Sequence, residues 1–131
     1  MDQIYTIPVK EAFLACREEP LGACPICTLS RKLEDSELDR ILGVAMMDPD
    51  VRIRTNEVGS CGRHFRMMLT RQTRLPLALM MESHLAEVEG MLADGLLGTP
   101  GDKPTRGIGE MLSHCYVCDR MNDTLVRMEE T

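Results

Sequence analysis

The segment Gly59-Ser60-Cys61-Gly62-Arg63-His64-Phe65 places a thiol and an imidazole three residues apart in a turn flanked by glycines. Cysteine and histidine at this spacing can bind one metal ion together, and a second such pair completes a tetrahedral zinc site. Gly59 and Gly62 allow the tight turn and the positive φ angles that a metal-binding knuckle often needs. The chain is therefore predicted to fold around a metal or thiol centre.

Two more pairs with the same spacing flank this segment. Cys24-Pro25-Ile26-Cys27 comes before it and Cys115-Tyr116-Val117-Cys118 comes after it, so that the three pairs hold five of the six cysteines. A single Cys-x-x-Cys is a weak indicator of metal, but three pairs in one short chain are a strong one. The candidate metal ligands are Cys24, Cys27, Cys61, His64, Cys115 and Cys118.

Six ligands exceed the four of one tetrahedral zinc ion, and three arrangements remain open. In the first, Cys24 and Cys27 bind the ion with Cys61 and His64, and the last pair is redox-active. In the second, the first and last pairs bind it and the central pair lies nearby. In the third, all six share two ions or a cluster. The first is slightly favoured, because its two turns suit zinc whereas the last pair is predicted to lie in the middle of a helix.

The composition favours one helical domain. A chain of 131 residues with 44% hydrophobic content can bury a core, and 11 methionines must replace the scarce aromatic side chains. No segment alternates with period two, which predicts that no sheet forms. Residues 1–131 are expected to form a single compact all-α bundle of five or six helices. Apolar periodicity predicts helices at about 8–19, 26–45, 49–57, 64–72, 75–97 and 107–129, with a loop over 98–104.

Charge and hydropathy exclude several classes of partner. A net charge of −6 argues against nucleic-acid binding, which needs a concentrated basic surface. No apolar run approaches the roughly 20 residues that cross a membrane. The N-terminal segment lacks a basic and an apolar region of the secretory type. A cytosolic protein is expected, in which paired cysteines indicate metal binding or redox chemistry more often than structural disulfides.

The other soft or titratable side chains have ordinary explanations. Cys16 lies on the apolar face of the first predicted helix and is expected to be a buried structural thiol. His84 is expected to be a partnered histidine at the edge of the core, and His114 to be exposed. Methionine pairs at 46–47, 67–68 and 80–81 are interpreted as core fillers rather than copper ligands.

The ordered motifs are similar to those of a known family. They are Tyr5-Thr6-Ile7-Pro8-Val9, Cys24-Pro25-Ile26-Cys27, the stretch 43–54, Cys61-x-x-His64-Phe65 and Cys115-x-x-Cys118-Asp119-Arg120. Together they span almost the whole chain, which resembles an uncharacterised family of small cysteine-rich bacterial proteins. The resemblance implies a bacterial cytosolic protein, and it supplies no activity because the family's function is unknown.

Three functional hypotheses follow. The first is a zinc-binding helical protein whose metal is mainly structural and which acts as an interaction or regulatory module, with an unknown protein partner or by self-association. The second is a thiol enzyme or redox sensor that uses Cys115 and Cys118. The third is soft-metal handling with copper. An iron–sulfur cluster ranks below zinc because its compact cysteine run is absent. Phosphate loops, nucleophile elbows and dinucleotide fingerprints are also absent, which makes enzymatic activity the weaker hypothesis.

Overall fold

A computed structural model describes residues 3–19, 22, 24–95 and 103–130, and the predicted all-α class is confirmed. Among these residues there is no strand, and none of the helices is long and apolar enough to cross a membrane. The helices are α1 (Gln3–Glu18), α2 (Pro25–Ile41), α3 (Pro49–Val58), α4 (Gly62–Thr70), α5 (Arg74–Gly95), α6 (Lys103–Ser113) and α7 (Tyr116–Glu129), with a 3₁₀ turn at Val44–Met47 between α2 and α3.

The expected count of five or six helices was wrong, because the described part of the chain holds seven. The helix predicted over residues 107–129 is two helices that break at His114 and Cys115. At the break, the amide of Tyr116 donates to the carbonyl of Gly59 at 3.0 Å instead of to a carbonyl of the preceding helix. A long-range hydrogen bond thus replaces a helical one, which apolar periodicity cannot reveal.

Other helix boundaries also differ from the prediction. Helix α1 begins at Gln3 and contains Pro8, whereas the sequence placed its start at that proline. Of the predicted loop over 98–104, residues 98–102 lie outside the described residues, and 103 and 104 begin α6. The start of α3 is as expected, since Asp48 accepts a hydrogen bond from the amide of Asp50 at 3.0 Å and a proline follows it.

The chain divides into two compact units. The terminal unit comprises Met1–Glu37 and Asp119–Thr131, and the central unit comprises Leu38–Cys118. In the terminal unit, Ala12, Leu29 and Met128 form a buried cluster against which Tyr5, Val9, Leu33 and Leu125 pack. That residues 1–131 form a single domain stays a prediction.

Methionine fills the core of the central unit, as its shortage of aromatic residues predicted. One member of each adjacent pair is buried, namely Met46, Met68 and Met80. Helix α5 packs against α3, α4 and α6 in this unit. Unbranched thioethers adapt to the irregular spaces between such helices, which supports their interpretation as core fillers rather than copper ligands.

Candidate metal centre

Two helix starts bring four potential ligands together in the central unit. Cys61 is the N-cap of α4, and His64 lies in the first turn of that helix. Cys115 immediately precedes α7, and Cys118 lies in its first turn. Residues three positions apart at a helix start project to the same side. Each start therefore presents a pair of ligands.

Gly59 holds the two helix starts side by side. It ends α3 with a φ of 62°, and its carbonyl accepts the hydrogen bond from the amide of Tyr116 at 3.0 Å. A Cβ atom at this position would lie 2.9 Å from Cε1 of His84. Both the backbone angle and the close packing require glycine. The residue that flanks the Cys-x-x-His motif in sequence is thus the one that joins it to the Cys-x-x-Cys motif in space.

Three sulfur atoms surround one ring nitrogen of His64. The Nδ1 atom lies 3.2 Å from Sγ of Cys61, 3.2 Å from Sγ of Cys115 and 3.5 Å from Sγ of Cys118. The four donor atoms all lie within 4.8 Å of one another. Among the residues that the structure describes, this is the one group of three or more cysteine, histidine or acidic side chains placed to hold a metal ion.

Hydrogen bonding alone does not account for this arrangement. A neutral imidazole nitrogen carries either one proton or one lone pair, so it cannot serve three thiols equally. The spacing instead fits ligands of a common ion. With Zn–S of about 2.3 Å and Zn–N of about 2.05 Å, tetrahedral geometry places nitrogen and sulfur about 3.6 Å apart, close to the three distances found here. Three thiols and one imidazole are also a common ligand set for structural zinc.

The electrostatics of the group point in the same direction. His64 and Cys115 are buried, with 2% and 4% of their surfaces exposed. Burial, together with hydrogen bonding to the Cys115 thiol and the negative charge there, raises the pKa of Cys118 to about 12. Burial also opposes ionisation of Cys61, but the amide of His64 and hydrogen bonding from Cys115 outweigh it and lower the pKa of the Cys61 thiol. Three thiols crowd one space here, and a cation would stabilise their ionised forms.

The structure thus joins the central and last pairs of the sequence. The arrangement that spacing slightly favoured shares Cys61 and His64 with this group and differs in its second pair. Cys24 and Cys27 are exposed and belong to the terminal unit, and their ligation of a metal stays a prediction. The signal that could have paired the Cys61 and Cys115 motifs is the helix break before Tyr116, but the apolar pattern continues through it and gives no indication of a break.

The remaining candidates have the environments of ordinary side chains. Nδ1 of His84 lies 3.1 Å from the carbonyl of Asn56, and because a carbonyl only accepts, that nitrogen carries the proton in this hydrogen bond. The prediction of a partnered histidine at the core edge is confirmed. His114 is exposed, as expected, while Cys16 is half-buried rather than buried.

Comparison with known proteins indicates a family for this chain but no activity. No curated protein and no solved structure matches it. A family model does match, and it covers the whole length over which the ordered motifs were found. This confirms the expected resemblance to an uncharacterised family, while a bacterial origin stays a prediction. By this match over residues 1–131, the chain belongs to the family of unknown function DUF6062.

Proposed function

We propose that the protein binds one zinc ion through Cys61, His64, Cys115 and Cys118, and that the ion is mainly structural. The observation that carries this proposal is the convergence of three sulfur atoms on Nδ1 of His64 at 3.2 to 3.5 Å. Structural zinc sites use four protein ligands of this kind, whereas catalytic sites leave one position for water or substrate. A complete set of four protein donors therefore supports a structural role.

The donor set also favours zinc over the alternatives. An iron–sulfur cluster separates its cysteine ligands by the cluster itself, whereas these four donors lie within 4.8 Å of one another, as around a single ion. Copper handling would be supported by thioether ligands near the thiols. The methionines of the adjacent pairs instead contribute Met46, Met68 and Met80 to the core.

A redox role for Cys115 and Cys118 is less well supported than a metal role. A reactive thiol needs an accessible sulfur and a lowered pKa. Cys115 is 4% exposed. Cys118 is exposed, but partial burial and the neighbouring thiol raise its pKa to about 12. Both properties instead suit thiols that a cation deprotonates.

The proposed ion would act as a cross-link within the central unit. Its ligands come from two helix starts, and His64 and Cys115 are 51 residues apart in sequence. Zinc at this point would fix the first turn of α7 against the start of α4 and so shape the surface of the unit. We therefore propose an interaction or regulatory module rather than an enzyme, located in a reducing compartment such as the cytoplasm, where thiolate ligands persist. Its partner would be another protein or a second copy of the chain.

Elemental analysis of protein purified under reducing conditions tests the metal. We expect one zinc per chain in the wild type and in the control variant Cys16→Ser, and loss of zinc in Cys61→Ser and Cys115→Ser. Cys24→Ser should keep its zinc. Stoichiometric iron or copper would overturn the choice of metal. Loss of zinc from Cys24→Ser, with retention in Cys115→Ser, would overturn the choice of ligands.

A further inference from the structure

The first cysteine pair remains outside the metal group, and its geometry is that of an exposed dithiol. Cys24 immediately precedes α2, and Cys27 lies in the first turn of that helix. The amide of Cys27 donates to Sγ of Cys24 at 3.4 Å, and the two thiols share a hydrogen bond. Both side chains are exposed. The two sulfur atoms are therefore close to each other and accessible from solvent.

This pair has the same local structure as the Cys115 pair but a different environment. In both, the first cysteine precedes a helix and accepts the amide of the second, at 3.4 Å for Cys24 and at 3.5 Å for Cys115. Cys115 has an imidazole and a third thiol beside it. Among the described residues, Cys24 and Cys27 belong to no group of three or more metal-ligating side chains. Two ligands alone do not complete a zinc site in one chain.

The two thiols are also unequal. The backbone amide and the thiol of Cys27 lower the pKa of Cys24. The same thiol–thiol hydrogen bond, followed by the charge on Cys24, raises the pKa of Cys27. Positive charge on Arg31 favours both thiolates but is a smaller influence than the contact between the thiols. The amide that Cys27 donates to Sγ of Cys24 thus favours the thiolate at Cys24 over that at Cys27.

We propose that Cys24 and Cys27 form a thiol–disulfide exchange pair, with Cys24 as the attacking thiol and Cys27 as the resolving thiol. The substrate class is a small disulfide, the oxidised form of a small thiol compound. The sulfur of Cys24 attacks one sulfur of the substrate disulfide, which forms a mixed disulfide and releases one thiolate. The sulfur of Cys27 then loses its proton and attacks Cys24, which closes the protein disulfide and releases the second thiolate.

The exchange is balanced without any further reagent. The two released thiolates take up the two protons that the protein thiols lose, so the substrate disulfide is reduced by two electrons while the cysteine pair is oxidised by two. This inference does not depend on the proposed zinc site, since it uses neither its ligands nor its ion.

Oxidised glutathione is a suitable probe, and tryptic peptides separate the cysteines. Cleavage after arginine places Cys24 and Cys27 together in residues 18–31, while Cys61 lies in residues 55–63 and Cys115 and Cys118 lie in residues 107–120. The zinc-loaded protein is treated with the probe, quenched with acid, alkylated and analysed by mass spectrometry. We expect an internal disulfide in the peptide 18–31 while the other two peptides remain reduced.

Single variants then establish the roles of the two thiols. Cys27→Ser should accumulate a stable glutathione adduct on Cys24, because the resolving thiol is absent. With limiting iodoacetamide at pH 7, wild-type Cys24 should react faster than Cys27. Cys16→Ser is the matched control and should behave as the wild type. Both active positions are exposed, so serine should leave the fold intact, which circular dichroism can verify.

Three results would overturn the proposal. One is an adduct that forms on Cys16 as fast as on Cys24 in Cys27→Ser, which would show general thiol reactivity. Another is equal alkylation of the two thiols of the pair. The third is a further zinc ion that Cys24→Ser alone removes, together with a zinc-dependent dimer, which would make the pair a metal site between two copies of the chain.

Discussion

Replacing Cys115 by serine, in parallel with the same change at Cys24, isolates the contribution of the metal centre. Both cysteines precede a helix and accept an amide hydrogen bond from the cysteine three residues later, at 3.5 Å and 3.4 Å. Serine is a favoured residue at helix starts and can accept the same bond. The two substitutions therefore affect their helix starts in the same way, and they differ in the burial of Cys115 and in the group of ligands that it joins.

The expected magnitudes differ clearly. At Cys24 the side chain is exposed and the helix start keeps its acceptor, so the free energy of unfolding should change by less than about 1 kcal/mol. At Cys115 a proposed metal ligand is lost. Because even indirect partners of a ligand contribute 10- to 100-fold to metal affinity, a direct ligand should contribute at least about 100-fold. That loss corresponds to about 2.7 kcal/mol at fixed free zinc, and for a chain of this size to a fall in Tm of about 10 °C.

Thermal unfolding followed by helical circular dichroism, at a fixed free zinc concentration, measures both variants against the wild type. We expect a large decrease in Tm for Cys115→Ser and almost none for Cys24→Ser. With a chelator present, the wild type should lose most of its advantage over Cys115→Ser, because the zinc contribution is then absent from both. If Cys115→Ser retained one zinc and had the same Tm as Cys24→Ser, the assignment of the metal centre would be refuted.

Three further predictions test the surroundings of the centre. Gly59→Ala should lower the unfolding free energy by about 2 kcal/mol in urea titrations because of its positive φ and its packed imidazole neighbour, whereas Gly62→Ala, with open space around it, should be neutral. Tyr116→Phe should cost about 1 kcal/mol in the same assay, because it removes the 2.9 Å hydrogen bond from Arg40. Zinc binding at pH 7 should release a proton from Cys118, whose pKa is about 12 without metal, so zinc affinity should rise with pH. Indicator dye in weak buffer should detect less release from Cys118→Ser.

The members of this group were predictable from the sequence, but the pairing of the motifs was not. Spacing identified all four members of the group, because cysteine and histidine three positions apart act as a unit wherever a helix starts. Which two units meet depends on contacts between distant segments. The hydrogen bond from Tyr116 to Gly59 is such a contact, and no periodicity in the sequence encodes it.

The same contact explains the main error in the predicted fold. Apolar residues continue with helical spacing through residues 107–129, so the pattern predicted one helix with Cys115 in its middle. The chain instead turns at His114 and Cys115, and α7 starts anew at Tyr116. At Asp48 and Pro49, by contrast, the start of α3 was predicted correctly, because the capping carboxylate and the proline act locally.

The three motifs show how one local structure can serve two kinds of chemistry. Each places a thiol before a helix and a second soft ligand in the first turn, where amide donors stabilise negative charge on sulfur. Where two such starts meet in the central unit, burial and the neighbouring thiols raise the pKa of Cys118, and a cation would offset the cost of ionising that thiol. At the exposed helix start, the second thiol stabilises the thiolate of the first. One thiol is then suited to act as the nucleophile, and ionisation of the other is disfavoured. Local sequence thus determines the pair, and tertiary packing determines whether that pair is suited to binding a metal or to exchanging disulfides.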